Sequence, residues 1–210
     1  MRADLRRSIQ QPGSRDGELG YVWNGGDVFC ALRRMPDGKL SVTYRGSTTA
    51  EDWKRDFDPL PVWDPEVGYC HGGFLEGIDA SLAEIIPALG TDPHTSLTLD
   101  GHSLGAAHAR IAAAKLTVRG IKVDQLCTFG SPRPGYVNIR RVIEKSGMVH
   151  RSFKYRNDPV CDVPIPIPIL YPVVHTEDAT PLDGPSNSED PWGPLRDHHI
   201  QLYLAAAPDQ

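Results

Sequence analysis

Several things are missing from this sequence, and each absence excludes a class of function. No apolar run approaches the roughly 20 residues of a membrane span, so no transmembrane segment is expected. Basic residues are not in excess: 22 Lys and Arg stand against 27 Asp and Glu, a formal net charge of −5. That balance offers no basic face for nucleic acid. Met1 to Gly13 is polar and basic without an apolar stretch, so no signal peptide is expected. The expected location is the cytoplasm, or outside the cell by a non-signal route. The four cysteines, Cys30, Cys70, Cys127 and Cys161, form neither a Cys-x-x-Cys pair nor a zinc spacing. Without an export signal, reduced and buried thiols are expected. There is no His-Glu-x-x-His and no ligand cluster, so neither metal nor cofactor is expected. No internal repeat or linker divides the chain, and 210 residues fit one domain, 1–210.

What is present is ordinary in bulk and specific in pattern. Hydrophobic residues make up 40% and charged residues 23%, as in globular proteins generally. The stretch that organises the chain is Thr98-Leu99-Asp100-Gly101-His102-Ser103-Leu104-Gly105-Ala106-Ala107. An apolar strand runs into Gly-x-Ser-x-Gly and then into a helix of small residues, the pattern of a nucleophile elbow. At such a turn the serine backbone is strained and its hydroxyl stands clear of the sheet. Gly101 and Gly105 relieve collisions on either side. The free N–H groups opening the helix favour negative charge nearby.

In chain order, residues 1–17 form a polar lead-in. Val28 to Arg34 and Leu40 to Tyr44 are β-prone runs around Met35-Pro36-Asp37-Gly38, which reads as a hairpin. Thr49 to Asp58 reads as a helix, with Trp53, Phe57 and Leu60 along one stripe. Trp63 to Cys70 reads as an irregular link, and His71 to Leu89 as one helix with Pro87 as its stop signal. Ser96 to Asp100, Val123 to Phe129 and Val149 to Tyr155 read as strands, Leu104 to Leu116 and Tyr136 to Lys145 as helices. The proline-rich run Val163 to Pro172 reads as extended, Val173 to Glu177 as a last strand, Pro181 to Pro194 as a loop and Asp197 to Ala207 as the closing helix. This alternation implies an α/β fold with a mostly parallel central sheet and helices on both faces.

Functional groups in such a sheet gather at the carboxyl ends of the strands. Three candidates fall there: Ser103, Asp158 and His198. Their order is that of the α/β-hydrolases. A serine hydroxyl is a weak nucleophile at neutral pH. A histidine must take its proton, and a carboxylate must hold that histidine in the right tautomer. Asp162 remains an alternative carboxylate and His199 an alternative base. His102, Asp100, His71, His94, His108, His150 and His175 read as structural.

Six segments resemble the fungal-type triacylglycerol lipases, the class 3 lipases. They are Gly101-His102-Ser103-Leu104-Gly105-Ala106-Ala107, Thr128-Phe129-Gly130-Ser131-Pro132-Arg133-Pro134-Gly135, Val42-Thr43-Tyr44-Arg45-Gly46-Ser47 with Asp52-Trp53, His71-Gly72-Gly73-Phe74, Asn157-Asp158-Pro159-Val160, and His198-His199-Ile200-Gln201-Leu202-Tyr203-Leu204. The likeness runs from about 40 to 204. It departs from the family in its short N-terminus and in the proline-rich stretch after Asp158. The resemblance implies an α/β-hydrolase fold, with Ser103 as nucleophile, His198 as base and Asp158 as its orienter. It implies oxyanion donors at the Leu104 N–H and at Ser47, and a lid carrying Trp53, Phe57 and Leu60, a stripe that reads equally as ordinary core. The implied activity is hydrolysis of carboxylic esters, with a lipid or small ester as substrate and transient contact with a lipid interface. An acyltransferase or small-ester esterase with the same triad, or an inactive binding module, are the alternatives.

Overall fold

The computed structural model describes residues 18–24, 27–46, 60–91, 95–167, 172–184 and 197–207. Strands β1 (Glu18–Asn24), β2 (Asp27–Arg34) and β3 (Leu40–Tyr44) open the fold as an antiparallel meander. Met35 and Lys39 close the β2–β3 turn as expected, the Met35 N–H donating to the Lys39 carbonyl at 2.8 Å. β4 (Pro61–Asp64) and β5 (Gly68–His71) follow as a separate two-stranded hairpin. Then come α1 (Gly72–Leu75), α2 (Ile78–Leu89), β6 (Leu97–His102), α3 (Leu104–Val118), β7 (Gln125–Phe129), α4 (Val137–Ser146) and β8 (Val149–Tyr155). A 3₁₀ turn (Pro159–Asp162), β9 (Thr180–Leu182) and α5 (Ile200–Ala206) end the described chain.

The main sheet has seven strands in the order β1-β2-β3-β6-β7-β8-β9. From β3 onward every neighbouring pair is parallel. The pleat sends alternate side chains to opposite faces, giving two cores. Leu40, Val42, Tyr44, Leu97, Leu99 and Leu126 join α2, α3 and α4 in the larger one. Cys127, Phe129, Phe153, Tyr155 and Leu182 pack with Tyr203 of α5 in the other. α3 is alanine-rich, and twelve of its fifteen residues are buried. Small side chains let this helix lie close over β6 and β7. All four cysteines are free and buried.

Four expectations need correction. Trp63 to Cys70 is not irregular: it contains most of the β4–β5 hairpin, in register from Pro61↔His71 to Asp64↔Gly68. The helix expected over 71–89 is broken, because Gly77 takes a left-handed φ of 77° between α1 and α2. Val173 to Glu177 is not the last strand. Val174 makes only an isolated bridge to Gly135, while Thr180–Leu182 pairs with β8. β9 carries Pro181, which its edge position tolerates. The closing helix begins at Ile200, so His198 sits in the turn before it. Strand β1 had no counterpart in the sequence reading.

Candidate active site

β6 delivers Ser103 at a turn that few side chains could adopt. Its backbone has φ 59° and ψ −132°, a sparsely populated region for an L residue. The turn closes because two glycines leave room. A Cβ on Gly101 would collide with the Gly105 carbonyl, and one on Gly105 with the Tyr44 carbonyl. The strand end after β3 presses on the same turn. A Cβ on Gly46 would lie 2.7 Å from the His102 carbonyl oxygen and 3.2 Å from the Ser103 Cβ. The chain leading to residue 47 therefore passes directly beside the serine.

Asp158 follows β8 and is fully buried. Its Oδ1 accepts from the Val160 N–H at 2.9 Å, which shapes the 3₁₀ turn behind it. Its Oδ2 accepts from His198 Nδ1 at 2.7 Å and from the Tyr203 hydroxyl at 2.5 Å. His198 Nε2 lies 2.7 Å from Ser103 Oγ. A carboxylate can only accept, so Nδ1 carries the imidazole proton and Nε2 is free to accept from the serine. Gly130, at φ 56°, lies under this pair: a Cβ there would be 2.8 Å from Asp158 Oδ2 and 3.1 Å from the His198 Cε1 carbon. Nothing local in the sequence marks Gly130 for this position. Burial and the neighbouring Asp158 charge push the Tyr203 pKa far above the ordinary phenol value, so it remains a donor.

The family profile for Lipase (class 3) matches residues 41–167. The chain belongs to the class 3 lipases.

This chain is 34% identical over 155 residues to the secreted mono- and diacylglycerol lipase 1 of Fusarium solani. That match covers 70% of this chain and 44% of the relative. It is also 34% identical over 142 residues to a chloroplastic phospholipase A(1) of Arabidopsis thaliana, covering 66% of this chain and 30% of that one. The chain thus spans less than half the length of these curated relatives. The solved triacylglyceride lipase of Rhizomucor miehei superposes with a TM-score of 0.63 at 22% identity, over 80% of this chain and 73% of that one. This likeness shows that the class 3 lipase fold here is the α/β-hydrolase fold.

Asp162 faces solvent, 61% exposed, and pairs with Lys154 at 2.9 Å, far from the role of an imidazole partner. His199 is exposed and its carbonyl accepts the Leu202 N–H in the first turn of α5. Asp100 is buried on β6. Leu104 opens α3 immediately after Ser103. Leu60 is 66% exposed, and its carbonyl accepts the Gly72 N–H at 3.1 Å. Ser47, Trp53, Phe57 and His94 lie outside the described residues. His71 is buried and stacks on Phe74 at 4.0 Å. His108 packs on Phe29 at 4.6 Å, and burial pushes its pKa down to about 3. His150 Nδ1 lies 2.9 Å from Glu177 Oε2. His102, read as structural, lies against His198: its ring stacks on that imidazole with centroids 4.6 Å apart.

A buried strut, which no local motif announces, stands behind the turn that follows Asp158. Arg110 of α3 is fully buried. It donates to Thr128 Oγ1 at 3.0 Å, Ser152 Oγ at 2.6 Å and His175 Nδ1 at 3.3 Å. The far nitrogen of His175 then donates to the Cys161 carbonyl at 2.6 Å, inside the turn that follows Asp158. Burial pushes Arg110 down to about 10 and His175 down to about 4, so this imidazole is neutral at physiological pH. Among the described residues no group of three or more His, Cys, Asp or Glu could hold a metal ion. None of the described helices is long and apolar enough to cross a membrane.

Proposed function

We propose that this protein hydrolyses carboxylic esters of lipids through a Ser103–His198–Asp158 triad. The observation that carries the reading is the continuous hydrogen-bond chain from Ser103 Oγ through His198 to Asp158 Oδ2, both links 2.7 Å. Ser103 Oγ attacks the acyl carbonyl while His198 Nε2 takes its proton. Asp158 holds the imidazole in the accepting tautomer and stabilises the imidazolium. The carbonyl oxygen becomes an oxyanion. The Leu104 N–H, at the positive end of α3, supplies one donor to it. Residue Ser47 supplies the other, consistent with the approach of Gly46 to Ser103. The tetrahedral intermediate then expels the alcohol, which leaves with the proton from His198. Water, deprotonated by His198, attacks the acyl-Ser103 ester and frees the acid.

The substrate class rests on family membership and on the relatives, which are named for mono- and diacylglycerols and for phospholipids. The segment Thr49 to Leu60 follows the oxyanion residue in the chain. Its Trp53, Phe57 and Leu60 stripe is proposed as an apolar lid over the acyl site, able to turn toward a lipid interface.

A fluorophosphonate probe tests the reading. The wild-type protein is expected to be labelled and to release fatty acid from emulsified diacylglycerol or from phospholipid vesicles. Ser103→Ala should keep its fold and lose about 10⁶ in turnover, the scale of a triad nucleophile. Near-normal hydrolysis by that variant would overturn the mechanism. A labelled protein that acts on soluble short-chain esters but on neither lipid would overturn the substrate class alone.

A further inference from the structure

The proposed base does not sit on the sheet. His198 occupies the turn before α5, and its position depends on what grips that turn. Asp197 Oδ2 accepts from the Asn157 N–H at 3.2 Å, next to the acid. A second grip, on the main chain, comes from His102: its Nε2 lies 3.0 Å from the His198 carbonyl oxygen. A carbonyl only accepts, so His102 Nε2 carries the proton of this bond. Residue 102 immediately precedes Ser103. Two consecutive residues of the elbow therefore bind one histidine, Ser103 at its ring and His102 at its main chain. Together they set the separation of nucleophile and base from two points.

We propose that His102 is a positioning residue for the triad, fixing the main chain of His198 by donating its Nε2 hydrogen to the His198 carbonyl. The inference rests on the triad reading above. The chemistry of the pair agrees with it. Burial, with His198 beside it, pushes the His102 pKa well below the ordinary imidazole value, so its ring is neutral. A neutral ring is what the site needs. His198 becomes an imidazolium in each cycle, and a second cation stacked 4.6 Å away would oppose that charge. The ring is held in turn by the Tyr203 ring, edge-on at 5.5 Å. Tyr203 itself binds Asp158. The nucleophile strand, the acid and the base thus share one set of contacts.

Two substitutions separate the hydrogen bond from the packing. His102→Gln keeps an N–H donor at the same reach and loses the ring. His102→Phe keeps a flat ring and loses the donor. The measurements are the rate of Ser103 labelling by a fluorophosphonate, kcat and KM on a soluble short-chain ester, and the melting temperature. His102→Phe is expected to remain folded with KM unchanged, while labelling and kcat fall by about 10²-fold, the cost of a misplacement near 1 Å. His102→Gln is expected to recover most of that loss. Wild-type labelling by the Phe variant would overturn the proposal. So would a Gln variant as slow as the Phe variant, or losses that follow only a lowered melting temperature. Should the wild-type protein itself resist the probe, the triad reading fails and this one with it.

Discussion

Asp158 accepts from three donors at once, the Val160 N–H, His198 Nδ1 and the Tyr203 hydroxyl. An amide in its place would offer two hydrogens to a site with room only for acceptors. Asp158→Asn should therefore fold but invert the tautomer of His198, lowering kcat by about 10⁴, as in another triad. Asp162→Asn should leave kcat unchanged, since that carboxylate pairs with Lys154 at the surface. Steady-state kinetics of the two variants on one ester decide between the carboxylates, and a crippled Asp162 variant with an active Asp158 variant would reverse the assignment. Ser103, Asp158 and His198 were legible because each stands in a local motif at the end of an element. Gly130 was not, because its role comes from a positive φ and from side chains that reach it from other parts of the chain. Tyr203 and His102 were visible as residues but not as partners, since their bonds span sequence separations of 45 and 96.

Among elements, the β4–β5 hairpin is held to the helices by a charge cluster. Lys115 of α3 is buried and binds Asp64 Oδ2 at 2.6 Å, Asp79 Oδ2 at 2.9 Å and Glu66 Oε2 at 3.1 Å. Arg119 binds Glu66 at 2.7 Å and Asp79 at 2.6 Å. Arg119 foremost, with Lys115, holds the Glu66 pKa down to about 2 against its burial. Burial raises that of Asp79, but the hydrogen bonds from Lys115 and Arg119 outweigh it and leave it lowered. Carboxylates depressed in the folded state stabilise it fully above their ordinary pKa, 4.5 for Glu66, and lose that contribution as the pH falls toward 2. Lys115→Met leaves the buried Asp64 without its cation and Glu66 and Asp79 with Arg119 alone, a loss of about 3–5 kcal/mol near neutrality. The stability gap between wild type and variant should narrow as the pH falls from 5 toward 2, read by denaturant melts; a gap constant across that range would contradict the role given to the cluster. The hairpin escaped the sequence reading because its cohesion is distant: Lys115 is 51 residues from Asp64. The β2–β3 hairpin and the elbow were legible because turn residues and glycines announce them locally. β9 was hidden for the same reason as the β4–β5 hairpin, since three residues with a proline become a strand only against β8.

At the scale of the molecule, a parallel sheet from β3 to β9 brings the ends of β3, β6, β7 and β8 to one edge. Gly46, Ser103, Gly130 and Asp158 each follow one of those strands. α5 then crosses the smaller core and brings the Tyr203 hydroxyl to Asp158. The alternation of strands and helices made this architecture legible, and the class 3 lipase match agrees with it. In the proposed mechanism Ser103 carries the acyl group between substrate and water. Acid quenching during turnover of a soluble p-nitrophenyl ester, followed by peptide mass analysis, reads that step directly. The expected result is an acyl adduct on the peptide containing Ser103, absent from Ser103→Ala and cleared once substrate is exhausted. Sustained turnover with no adduct at Ser103, or with the adduct on another residue, would contradict it.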